Sequence, residues 1–178
     1  MSSEFSVREM SLKEIDIRIE YFHRASTDYL KYLGVKREKL PSPSKMRSDY
    51  KTELTIPLED RQFFALIWLD DNGRSIGFST LDKISFGNEA RMHLHILQEQ
   101  NRHHGAGSTC VRLSTGFYFD HFQLKRIICE PNAFNTAPNR TLQKAGFRFV
   151  KTYETVPGPI NFSQAVTQWI IELSETHQ

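Results

Sequence analysis

The stretch that most restricts how this chain can fold is residues 90–108, ARMHLHILQEQNRHHGAGS. Its first eight residues alternate apolar and polar with the period of a strand. Residues 109–122 carry Cys110, Leu113 and Phe117 at helical spacing, with Val111, Ser114 and Tyr118 beside them. The segment Arg102-His103-His104-Gly105-Ala106-Gly107 therefore joins a strand to a helix N-terminus. Such a junction suits an anion, because free backbone N–H groups and the helix dipole both face it. Gly105 and Gly107 have no Cβ, so the loop can take positive φ and a phosphate can approach the backbone. Arg102 adds a charged planar fork of donors.

Two phosphate-loop patterns fail on spacing. GxxxxGK[ST] is absent, and G-x-G-x-x-G would need glycine where Cys110 stands. The pattern present is R-x-x-G-x-G. By itself it also describes an ordinary Gly-rich loop, so the rest of the chain has to decide.

With 178 residues the chain fits one domain, 1–178, with room for a sizeable core. Its 39% hydrophobic and 25% charged residues are those of a globular protein. A net charge of +2 does not point to nucleic acid. No apolar run approaches the ~20 residues of a membrane span. The opening MSSEFSVREM does not read as a signal peptide. Cys110 and Cys129, both in apolar surroundings, suggest a reduced, cytoplasmic protein.

In chain order, Ser11-Leu12-Lys13-Glu14 has the form of a capping box, predicting one helix to about Tyr32 with Gly34 as its stop. Residues 35–45 hold three Lys, one Arg and two Pro and read as a mobile loop; a short helix follows around 46–55. Residues 62–69, 75–84 and 90–97 then form a three-stranded antiparallel meander, turning at Asp70-Asp71-Asn72-Gly73 and Phe86-Gly87-Asn88. After the helix come a short buried strand at 125–130 and a helix from Thr136 to Lys144 with Asn135 or Thr136 as cap. Two last strands, 147–153 and 165–173, flank a Pro-Gly-Pro loop.

This element order resembles that of the GNAT superfamily of acyl-CoA-dependent N-acyltransferases, as does the Gly loop. A second stretch, NTAPNRTLQKAGF at 135–147, resembles the N-x-x-S-x-x-x-L-x-K-x-G-F signature of the branch that includes ribosomal-protein N-terminal acetyltransferases. Asn135, Leu142, Lys144, Gly146 and Phe147 match, and Pro138 replaces the Ser. The resemblance covers roughly residues 60–153. It implies an α+β fold in α/β/α layers, whose mixed, mostly antiparallel sheet splays around a CoA site. It implies acetyl-CoA as co-substrate, with pantetheine beside His95, Ile96 and Leu97. The pyrophosphate would rest on Arg102, His103, His104, Gly105, Ala106, Gly107 and Ser108. Asn135 would face the pantetheine and Asn139 the adenosine side. The reaction implied is acetyl transfer to a primary amine by direct attack.

His93 and His95 project from one face of their strand. A typical ammonium has a pKa near ~10, so a base must take its proton before it can attack. Imidazole, titrating near ~6.5, suits that task. Similar H-x-H pairs serve arylalkylamine N-acetyltransferases of the same superfamily. His95, nearer the loop, is the first choice; packing under a helix is the alternative reading. No third ligand stands at helpful spacing for a metal. Glu130 is a second base candidate or a solvated strand-end carboxylate. Where many relatives carry a Tyr that reprotonates the thiolate, this chain has Leu142, which leaves Tyr153, Ser114, Tyr118 or water. The charged loop 35–45 either builds the acceptor pocket or merely connects. The partners expected are acetyl-CoA and an amine, either a small molecule or a protein N-terminus. A homodimer is left open, and neither nucleic acid nor membrane is expected. The competing readings are a non-catalytic acyl-CoA-binding module and a His-metal hydrolase.

Overall fold

In the computed structural model, which describes residues 5–97 and 105–173, seven strands form one sheet in the order β1-β2-β3-β4-β5-β7-β6. These are β1 (Ser6–Glu9), β2 (Phe63–Leu69), β3 (Ser75–Ser85), β4 (Glu89–Ile96), β5 (Arg126–Cys129), β6 (Arg148–Thr155) and β7 (Gln164–Glu172). All neighbours run antiparallel except β4 and β5, which are parallel. Five helices cover the two faces: α1 (Ile15–His23), α2 (Thr27–Tyr32), α3 (Pro43–Glu53), α4 (Ala106–Phe122) and α5 (Thr136–Lys144).

The continuous apolar run of β2, FFALIWL, is what a strand buried on both faces requires. Leu66 and Trp68 point to one side, where they meet Leu81, Met92, Val111 and Phe122 beneath α4. Ala65 and Ile67 point to the other, against Ile15, Ile19 and Phe22 of α1, Leu30 of α2 and Tyr50 of α3. Under α4 the buried polar groups satisfy one another. Trp68 Nε1 donates to Ser114 Oγ at 2.8 Å, and Ser79 Oγ bonds Ser114 Oγ and Tyr118 OH at 3.1 and 2.8 Å.

The N-terminal half differs from expectation in three places. Strand β1 escaped the sequence reading. The capping box forms, with Ser11 N–H donating to Glu14 Oε2 (2.8 Å) and Glu14 N–H to Ser11 Oγ (3.3 Å), but the helix it opens is broken. Ser26 is extended and accepts from Tyr29 N–H at 3.1 Å, so a second helix starts there. The segment 35–45 is pinned: Lys39 Nζ donates to Asn161 O (2.8 Å), and Pro43 already stands in the first turn of α3.

Gly34 ends α2 at φ +75°, and its carbonyl accepts from Gln164 Nε2 (2.8 Å) and Asn161 Nδ2 (2.9 Å). A Cβ here would stand 2.0 Å from Gln164 Oε1. Gly34→Ala combines a left-handed backbone with overpacking and is expected to cost at least about 2 kcal/mol. Urea unfolding reads this as a lower midpoint at unchanged slope.

Candidate active site

Strand β4 pairs with β5 only from Glu89↔Arg126 to Met92↔Cys129. Beyond that, β4 runs on to Ile96, while the segment after β5 turns away at Glu130 and Pro131 and bridges from Asn132 to Val166 of β7. The edge of β4 from His93 to Ile96 thus borders a gap rather than a strand.

Two adjoining cavities with shared wall residues lie at this opening. The outer, of about 530 Å³, is bounded by Ile96, by Gly105, Gly107 and Ser108, by Arg140 and Lys144 of α5, and by Tyr21 and Tyr29. The inner, of about 240 Å³, is bounded by Arg18, Asp82, His93 and Glu130. His95, Leu94, Asn135 and Pro138 line both.

Gly105 is the N-cap of α4 in a left-handed conformation, φ 72°, and has no side chain with which to cap the helix. The first intrahelical backbone bond is Thr109 N–H to Gly105 O, at 3.1 Å. The N–H groups of the preceding turn are those a helix leaves without internal partners, and they border the outer cavity. Arg140 and Lys144 add positive charge to its wall. Arg102, His103 and His104 lie outside the described residues.

Of the other residues expected to bind the cofactor, Ile96, Gly105, Gly107, Ser108 and Asn135 line the outer cavity. Ala106 points into the core beneath α4. Leu97 sits against the opposite core, and its N–H is already donated to Ile76 O at 3.0 Å. Asn139 is used structurally. Its Nδ2 donates to Asn135 O (2.8 Å) and Asn132 O (3.2 Å), and its Oδ1 accepts from Trp169 Nε1 (2.8 Å), so both donors of the amide are taken up within the protein. Asn135 is the opposite case. It caps α5 by position without a side-chain cap bond, and its buried Oδ1 has no partner where the two cavities meet.

The two histidines share a face, as their spacing demands, but not an environment. His93 Nε2–H donates to Asp82 Oδ2 at 3.1 Å. A carboxylate only accepts, so Asp82 fixes the tautomer and leaves Nδ1 to receive a proton. Burial tends to raise the Asp82 carboxyl, but the His93 charge and hydrogen bond, with Arg91 and Lys83, outweigh it and hold it below its ordinary value. His95 instead packs against Tyr21, Phe22 and Phe78 at ring separations of 5.0 to 5.2 Å, with Nδ1 3.2 Å from Tyr21 OH. Burial first, then the charges of His93 and Arg18, push it down to about 3. It is neutral at physiological pH and holds a proton poorly, which removes the reason for preferring it as base.

That depression has a measurable consequence. An unfolded imidazole takes its proton near pH ~6.5 and the folded His95 only near 3, so between these values the unfolded state binds more protons. Stability is therefore full above pH ~6.5 and falls as the pH is lowered through the window, by at most about 2 kcal/mol at pH 5. In His95→Gln the difference in urea-derived stability between pH 7.5 and pH 5 should shrink by that amount. An unchanged difference would contradict the buried, neutral His95.

Glu130 is neither solvated nor free. Its side chain is 1% exposed. Oε1 accepts from Tyr153 OH and from Gln168 Nε2 (2.7 Å), while Oε2 stands 3.1 Å from Arg91 Nη2 without hydrogen-bond geometry. A carboxylate committed in this way orders the inner wall and makes a poor base.

The candidates for a general acid fare no better. Ser114 and Tyr118 are buried under α4, and burial raises the Tyr118 phenol. Tyr153 is committed to Glu130, and burial together with that bond raises it too. Leu142 is fully buried, so its position does not reach the groove. The tyrosines that line the groove include Tyr21 and Tyr29, whose hydroxyls are 3.0 Å apart. Both fall within the helix expected up to Tyr32, and the sequence gives neither a role. Among the described residues, no group of three His, Cys, Asp or Glu could hold a metal ion, and no helix is long and apolar enough to cross a membrane.

No curated protein matches the chain by sequence. Among the solved structures that share its fold are two at 16% identity. One is an aminoglycoside acetyltransferase AAC(6')-Ib in complex with coenzyme A, with a TM-score of 0.70 over 95% of each chain. The other is a spermidine N-acetyltransferase from Vibrio cholerae in complex with CoA and spermine, with a TM-score of 0.74 over 96% of each chain. Residues 7–148 match the family described as Acetyltransferase (GNAT) domain, which spans most of the sequence. The chain belongs to the GNAT acetyltransferase domain family.

Proposed function

We propose that this protein, acting as one domain over residues 1–178, transfers an acetyl group from acetyl-CoA to a primary amine in the opening between β4 and β5. The observation that carries this reading is the continuity of that opening. It runs from the glycine N-cap of α4, past Asn135, to the Asp82–His93 pair. The pyrophosphate would rest on the first turn of α4 beside Arg140 and Lys144. The pantetheine would follow the edge of β4 and pass beside Asn135. Acetyl-CoA supplies an activated acyl thioester, and the residues of the chain supply the rest. His93, oriented by Asp82, accepts the amine proton at Nδ1 as the new C–N bond forms. The C–S bond breaks, and Tyr21 is our choice for returning a proton to the departing sulfur. A thiol of pKa near ~8.5 needs little such help.

The signature at Asn135, Leu142, Lys144, Gly146 and Phe147 links this reading to the branch containing ribosomal-protein N-terminal acetyltransferases. We also infer a cytoplasmic location. A homodimer would have edge strand β6 to use, where Phe149 is 50% exposed.

Ligand that binds only the native state raises stability by about 2.7 kcal/mol at a hundred times its dissociation constant. Thermal melts with millimolar acetyl-CoA should therefore show a clear upward shift. No shift would remove the basis for the proposed site.

A further inference from the structure

Three buried side-chain polar atoms among the described residues have no hydrogen-bond partner: Asp82 Oδ1, Glu130 Oε2 and Asn135 Oδ1. All three residues line the inner cavity, and all three atoms are acceptors. The oxygens themselves are closed off, but their residues make the cavity wall rich in acceptor groups, which suits an occupant bearing donors, as an amine does.

The same cavity holds one group that asks for the reverse. The half-buried guanidinium of Arg18 lies between two rings, 5.3 Å from the centre of Phe22 and 5.0 Å from that of Phe63. No hydrogen bond or ion pair to it forms among the described residues, and its counter-charge is the Asp82 carboxylate, which acts on it through space while bonded to His93. Burial lowers it to about 10, so it remains charged at neutral pH. The two phenyl faces fix the plane of the fork but engage none of its five N–H donors. A guanidinium with unused N–H donors facing this cavity repels a polycationic occupant. It attracts one with a negative group at that end.

We propose that the amine acetylated here is a small amino carboxylate, with its carboxylate held by Arg18 and its amine beside His93 and the Asp82 carboxylate. This rests on the acetyl-transfer reading above and narrows it. Arg18 is then a specificity-determining residue, and the preference runs against polyamines and aminoglycosides. The inner cavity, about 240 Å³, suits a ligand of amino-acid size.

The test measures thiol release from acetyl-CoA with matched pairs of amino acids and their carboxamides, and with spermidine. Wild type, Arg18→Gln and Arg18→Lys are compared. Wild type should favour carboxylate over carboxamide at least a hundredfold in kcat/KM. Arg18→Gln should lose that preference and at least a hundredfold of activity on the carboxylate, and Arg18→Lys should recover part of it. The acetyl-CoA melting shift should persist in all three. Carboxamides or spermidine used as well as carboxylates by wild type would overturn the proposal, whatever the variants do. So would a preference that survives in Arg18→Gln. If no amine is turned over, melts of the CoA complex with N-acetylated amino acids decide. A shift absent in Arg18→Gln supports the carboxylate site, and no shift with any carboxylate overturns it. Failure of the underlying reading looks different, since acetyl-CoA itself would then give no shift.

Discussion

His93→Gln is expected to lower kcat by ~10²- to 10⁴-fold, the usual cost of removing a general base. Glutamine keeps a polar group of similar reach, and its amide can still donate to Asp82, but it cannot take up a proton at neutral pH. Acetyl-CoA affinity should stay nearly unchanged, because His93 lines the inner cavity and not the outer one. His95→Gln should cost much less, since a group pushed down to about 3 contributes little as a base. The equivalent loss in both variants, or a loss confined to His95→Gln, would exclude the Asp82–His93 pair as the proton acceptor. Steady-state kinetics over acceptors of differing basicity separate enzyme ionisation from that of the substrate.

Gly105→Val is expected to reduce acetyl-CoA affinity well over tenfold with the fold retained. A β-branched residue is strongly disfavoured at φ +72°. A Cβ there would meet nothing within 4 Å, so the added atoms displace no core. They enter the space in front of the α4 N-terminus, where phosphate oxygens would approach the backbone. Gly107 is a different case, although the sequence treats the two glycines alike. A Cβ at Gly107 would stand 3.0 Å from Ile96 Cδ1 and 3.4 Å from Thr141 Cγ2. Valine there would force α4 away from β4 and α5 and cost stability as well as binding. Calorimetric titration with CoA tests the first variant. Retained affinity in a folded Gly105→Val would mean that the pyrophosphate lies elsewhere.

The contrast between these glycines illustrates which parts were readable. Strands β2 to β7 and helices α4 and α5 follow periodicity and turn chemistry, because each buries an apolar face that only one period can present. The break at Ser26 was hidden because apolar residues on both sides continue one helical face. The Asp82–His93 pair was hidden by a bulge. A regular hairpin from the turn at Gly87 would set Leu81 opposite His93 and leave Asp82 on the other face. Lys83 adopts φ 48°, the register shifts by one between Asp82 and Ser85, and Thr80 becomes the partner of His93. Asp82 then lies diagonally on the same face. The sequence carries no strong signal for such a bulge. Tyr21 and Arg18 were legible as helix residues, but only the packing of α1 over the end of β4 shows that they reach the site.

The central claim is acetyl transfer to an amine, and amine-dependent release of CoA thiol from acetyl-CoA tests it most directly. Purified protein should release thiol in proportion to acetylated amine formed. The rate should saturate in both substrates and collapse in His93→Gln. Tight acetyl-CoA binding with no thiol released above the rate of spontaneous hydrolysis, across amino acids, polyamines, aminoglycosides and peptide N-termini, would contradict it and leave a non-catalytic acyl-CoA-binding module.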